Sequence, residues 1–148
     1  GYWLAFKDRP WLWLKTVWQF SDTQSSIKDE GDTPGVNDKG MVTYDRKTRK
    51  DAFYFYKANW NPEPMLHLCS KRFAVRDSAV TDIKAYTNLR EAVLYVNGRK
   101  IGKARPDGVK RAVWRGVELS PGENTVRVTA RSGKTVLEDT CVWRVDGK

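Results

Sequence analysis

Two hydrophobic periods divide the chain. From residue 10 to residue 20, "PWLWLKTVWQF" is a near-continuous apolar run of strand length, the pattern of a β-strand covered on both faces as in a parallel sheet. A polar stretch follows, "SDTQSSIKDEGDTPGVNDKG". It exceeds the ~12–15 residues beyond which a connection without structure of its own is usually functional or disordered. Thr48 and Asp51 then offer a helix start, and Ala52, Phe55 and Tyr56 fall at i, i+3 and i+4 on one helical face. The predicted order is strand, long loop, helix, with one strand and one or two helices too few to close a core.

Around Pro62 to Pro64 the period becomes two. "MLHLCSKRF", "VTDIKAY", "EAVLYVNG", "AVWRGVEL", "NTVRVTAR" and "DTCVWRV" are short β-rich segments. Turn signals separate them at Asn97-Gly98, Pro121-Gly122 and Ser132-Gly133. Strands at this density predict a β-sandwich of immunoglobulin-like type, with Ala92, Leu94 and Val96, and Val126, Val128 and Ala130, facing inward. The fold expected is therefore mainly β, with a division into residues 1–61 and 62–148. The second part can close its own core, and the first cannot.

With 148 residues and 40% apolar content, the chain has the length of about one domain and enough apolar surface for a core. No apolar run approaches the ~18 residues a membrane span requires, since Lys15 interrupts the tryptophan-rich segment. The bulky opening, with Tyr2, Trp3 and Phe6 and no polar lead-in, suggests a piece of something larger. A net charge of +9 raises a nucleic-acid reading, but its distribution weakens it. Residues 1–61 hold 10 basic and 8 acidic side chains, and residues 62–148 hold 17 and 10, scattered singly along alternating segments as on a solvated basic surface. Cys69 and Cys141 lack the paired short spacing of a metal site, and free buried thiols are favoured over a disulfide between neighbouring strands. His67, the only histidine, lies inside a predicted strand and reads as a packed residue rather than a catalyst. Asp29, Glu30, Asp32 and Asp38 crowd one polar loop without a supporting histidine, so solvation is their default. Neither metal nor cofactor is expected, nor a nucleic-acid or membrane partner.

Three stretches then carry a resemblance. "TVWQFSD" at 16–22, "EGDTPGVNDKGMVTYDRKTRKDAFYFYKANW" at 30–60, and "AVLYVNG", "PGENTVRV" and "CVWRV" further on resemble the C-terminal part of a glycoside hydrolase family 2 enzyme of the β-galactosidase and β-glucuronidase group. The resemblance implies that residues 1–60 are the seventh helix, eighth strand and eighth helix of a (β/α)₈ barrel, and that an accessory sandwich follows. It implies a retaining, exo-acting hydrolase whose two catalytic glutamates lie on earlier barrel strands, so that this chain alone carries no catalytic residue and hydrolyses nothing. Its partner would be a carbohydrate met through the parent barrel, and its compartment periplasmic or secreted.

In such barrels the active site lies at the C-terminal ends of the strands. Trp18 would end the last strand, and Asn37 and Lys39 would stand in the loop beyond it. A tryptophan can cover the C–H face of a pyranose, an amide offers both donor and acceptor, and an ammonium offers a point charge. In relatives that act on glucuronides an Asn-x-Lys pair grips the sugar carboxylate, and Asn37-Asp38-Lys39 has that spacing. The competing reading is that Asn-Asp-Lys-Gly is only a turn and Trp18 only packing. Relatives carry "VWNMFDF" where this chain has Val17-Trp18-Gln19-Phe20-Ser21-Asp22-Thr23, so Gln19 keeps the amide at greater length. The β-galactosidase type ranks first on the loop and helix motif, the β-glucuronidase second. A stand-alone carbohydrate-binding or interaction module is the remaining alternative.

Overall fold

The structure is a computed structural model and describes residues 2–27 and 34–146. It is mainly β and falls into two compact units, residues 1–56 and 57–148, the division lying inside a helix.

The second unit holds β3 (Leu66–Leu68), β4 (Val75–Arg76), β5 (Val80–Thr87), β6 (Ala92–Val96), β7 (Arg99–Ala104), β8 (Arg111–Glu118), β9 (Gly122–Ser132) and β10 (Thr135–Val145). They form a five-stranded sheet in the order β4-β10-β9-β6-β7 and a three-stranded sheet in the order β3-β5-β8. The first sheet is mixed, because β4 runs parallel to β10 while its other pairings are antiparallel. Alternation explains the core. Ala92, Leu94, Val96, Val126, Val128 and Ala130 are buried as the period of two requires, and with Ile83, Ala85, Trp114 and Trp143 they make one apolar cluster.

The hairpins use the turn chemistry their sequences carry. β6 and β7 are joined by Asn97 and Gly98 alone, both at positive φ (50° and 78°), the primed turn that matches strand twist. Asn124, fully buried on β9, is satisfied by Asn97, by Ser120 and by the Gly122 carbonyl. Asp139 points inward from β10 because it has work there. It accepts hydrogen bonds from the Leu68 and Thr140 amides and pairs with Lys71. His67 is buried beside it, its Nδ1 3.7 Å from Asp139 Oδ2. Cys69 and Cys141 are both free thiols.

The first unit holds α1 (Tyr2–Phe6), β1 (Thr23–Gln24), β2 (Val36–Asn37) and most of α2 (Asp51–Trp60). Trp3 meets Phe6, Phe55 and Tyr56 edge-on, at 5.5, 6.3 and 6.0 Å between ring centroids. The helix forms where its pattern predicts, although Ala52 is exposed. Thr48 spends its amide and its carbonyl on Thr43 in a preceding turn, and at the helix start the Lys50 carbonyl accepts from the Phe53 amide.

The largest departure is the apolar run. Among the described residues, 10–20 form no strand, and Trp11 (67%), Trp13 (89%) and Trp18 (90%) are largely exposed. A strand requires a hydrogen-bonding partner along its edge, and residues 11–18 pair with none. The expected last barrel strand is therefore absent from this structure.

Candidate functional site

Pairing begins where the apolar run ends. The Met41 amide donates to the Gln19 carbonyl (3.1 Å), the Val42 amide to Phe20 (3.0 Å) and the Asp22 amide back to Val42 (3.0 Å). Val42 is itself buried and also bridges Arg49. Two residues further on, β1 and β2 pair antiparallel, with Thr23 opposite Asn37. Residues 36–42 are thus held alongside residues 19–24, which brings the Asn37-Lys39 loop to the stretch that follows Trp18.

One buried carboxylate fixes this loop. Asp22 is 7% exposed, and its Oδ1 accepts from Lys50 Nζ at 2.6 Å and from the Gly40 amide at 2.9 Å. Lys50 Nζ donates a second hydrogen bond, to the Asp38 carbonyl, at 2.6 Å. A charge taken out of water must be paired and hydrogen-bonded, and here the ammonium and the amide do both. The approach also explains Gly40. A Cβ on it would lie 2.1 Å from the Asp22 nitrogen, so only glycine lets the two backbones come this close.

Of the predicted site residues, Trp18 is exposed at the end of the apolar run, and its peptide bond to Gln19 is cis. Gln19 Nε2 donates to Thr23 Oγ1 at 3.2 Å, so the longer amide closes a local contact. Asn37 Oδ1 accepts from the Lys39 amide at 3.1 Å, the turn that the competing reading foresaw. That bond fixes the side chain of Asn37 while Lys39 stands exposed. Asp29, Glu30 and Asp32 lie outside the described residues, and no group of metal-ligating side chains occurs among the described ones.

Sequence reading missed Asp22 and Lys50. Lys50 braces the loop through the Asp38 carbonyl. The 28 residues separating Asp22 from Lys50 hide the pair from any local pattern.

A family model described as a domain of unknown function (DUF4982) matches residues 78–137, from the approach to β5 into β10. Over 141 residues the chain is 45% identical to a β-glucuronidase of Bacteroides fragilis, covering 95% of this chain and 20% of that protein. The chain belongs to the C-terminal region of glycoside hydrolase family 2 enzymes. Among solved structures, a Bacteroides fragilis protein assigned as a β-galactosidase superposes with a TM-score of 0.88 at 31% identity, over 99% of this chain and 22% of that one. A Bacteroides uniformis β-glucuronidase superposes with a TM-score of 0.83 at 27% identity, over 98% and 18%. This chain thus spans about a fifth of the length of such family members. The similarity weighs toward the glucuronidase branch, which the sequence motifs had placed second.

Proposed function

We propose that the chain is the C-terminal part of a retaining, exo-acting β-glucuronidase. In this reading residues 1–61 complete a (β/α)₈ barrel, and residues 62–148 are an accessory β-sandwich of immunoglobulin-like type. The observation that carries the proposal is the 45% identity to a β-glucuronidase across 95% of the chain. The exposed tryptophans support it, because a strand covered on both faces needs neighbours that this chain does not supply.

Trp18, Asn37 and Lys39 form one edge of the sugar pocket in this account. The indole covers the pyranose ring, and Asn37 and Lys39 meet the carboxylate at C5. Lys50 and Asp22 act as positioning residues: by holding Gly40 and Asp38 they set the loop before substrate arrives, which lowers the ordering cost of binding. A retaining glycosidase needs two carboxyl groups about 5–5.5 Å apart, and both are assigned to earlier strands of the barrel. The chain by itself hydrolyses no glycoside.

Assay of the longer enzyme that contains this chain, on 4-nitrophenyl β-glucuronide and 4-nitrophenyl β-galactoside, tests the reading. A kcat/KM favouring the glucuronide is expected. Preference for the galactoside would restore the galactosidase alternative.

A further inference from the structure

The second unit carries a groove of about 630 Å³ on the five-stranded sheet, on the face opposite its apolar core. Alternation places it there. Leu94, Val128 and Ala130 point into the core, so Val93, Tyr95, Thr129 and Arg131 point the other way. Register sets the row: Val93 stands opposite Lys103 on one side and Thr129 on the other, and Arg131 stands opposite Val136.

The charges of the groove do not cancel. Lys103 is paired with Glu91 at 2.7 Å, which leaves Arg90 and Arg131. Both are exposed, and neither guanidinium makes a hydrogen bond or ion pair among the described residues, although Arg90 shares the field of Glu91 with Lys103. Two guanidinium groups at the wall of one groove, with Val93 on β6 and Val136 on β10 as apolar contacts on either side of β9, suit an anion that also has a C–H surface. The Thr129 hydroxyl adds a donor and acceptor for a ligand hydroxyl. Tyr95 narrows the class further. Arg127 lies over its ring at 4.3 Å from the centroid and is held there by Glu138 at 2.8 Å, so that ring face is closed to stacking. A single-stranded nucleic acid depends on open aromatic faces and an unbroken basic track. This groove offers neither, since Glu91 interrupts the cations.

We infer that this groove is a binding site for an acidic saccharide, in which Arg90 and Arg131 hold the acid group and Val93 and Val136, on either side of β9, give apolar contact to the sugar ring. The inference is separate from the proposed substrate pocket, shares no residue with it, and stands or falls independently of the glucuronidase reading.

Calorimetric titration of the whole chain tests it with four probes. These are a tetrasaccharide containing glucuronate, its carboxyl-reduced counterpart, a neutral-backbone tetrasaccharide carrying sulfate, and a single-stranded oligonucleotide of similar charge. At least one acid-bearing sugar should bind at least tenfold more tightly than the carboxyl-reduced one, the two acid arms showing whether carboxylate or sulfate is preferred. Arg90→Ala and Arg131→Ala should each weaken that binding about tenfold. Arg115→Ala removes an exposed cation, paired with Asp82, from the other sheet and should leave binding unchanged. Equal binding of the neutral sugar, tighter binding of the oligonucleotide, or an equal loss in Arg115→Ala would overturn the inference. So would the absence of binding by every probe to a chain whose circular dichroism shows it folded.

Discussion

Residues 57–148 bury their tryptophan on β10, Trp143, to 1% exposure, while residues 1–56 leave Trp18 at 90% and Trp13 at 89%. Both regions are rich in aromatics, so composition does not separate them. Partners do. Every strand of the second unit is paired within that unit, and alternation gives each sheet an apolar face to bury. Among the described residues, positions 11–18 of the apolar run in the first unit have no paired strand, and the loop that follows is pinned by one buried carboxylate, Asp22, and the ammonium of Lys50. A core of distributed apolar contacts and a loop pinned at one charge should fail differently.

The largest effect is expected in the distributed core. Trp143→Ala removes an indole over which the Arg76 guanidinium stacks at 3.4 Å, and should cost about 3–5 kcal/mol in chemical denaturation. A loss below about 1 kcal/mol would mean that this sheet is not closed on its own core.

Next is the pinned loop. Lys50→Met strands Asp22 without its counter-charge and frees the Asp38 carbonyl, a change worth about 3 kcal/mol where a buried pair is broken. The loss should appear as faster hydrogen exchange at Gly40 and Val42, while the amides of β9 and β6 keep their protection. Uniform acceleration in both regions would show that the two do not fail separately.

The smallest effect is chemical. Burial pushes the Cys141 thiol up from 9.0 to about 11, against the lowering influence of Lys71 and Arg76 and with that of Asp139. The folded state then holds its proton where the unfolded chain has lost it. Stability from this group is complete below pH 9 and is lost as the pH rises through about 11. At pH 8 its thiolate fraction, and so its labelling by iodoacetamide, should be about a hundredfold below that of the same cysteine in the denatured chain. Equal rates would place Cys141 in solvent.

The strands of the second unit were legible because period-two burial is a local signal, as in "AVLYV" and "NTVRVTA", with Asn97-Gly98 announcing the hairpin. β7 escaped notice because "RKIGKA" is an edge strand in which Arg99, Lys100 and Lys103 break the apolar alternation, as charges on exposed edges tend to do. "MLHLCSKRF" was read too long: the strand stops at Leu68, and Ser70 turns the chain at φ 62°. The loop was legible in part. Asn37 and Lys39 stand two residues apart and announce a turn by themselves, whereas Asp22, Gly40 and Lys50 meet only through the fold. The strand predicted at 10–20 failed for the opposite reason, since its pattern describes cover on both faces that none of the described residues supplies.

Lys39→Met in the longer enzyme, with kcat/KM measured on the glucuronide and the galactoside side by side, bears most directly on the account. A charge-assisted hydrogen bond to the sugar carboxylate is worth roughly 1.5–3 kcal/mol, so glucuronide turnover should fall about tenfold to a hundredfold while galactoside turnover stays unchanged. An equal loss on both sugars would make Lys39 a brace of the loop alongside Lys50, and would contradict its assignment as the reader of the substrate's charge.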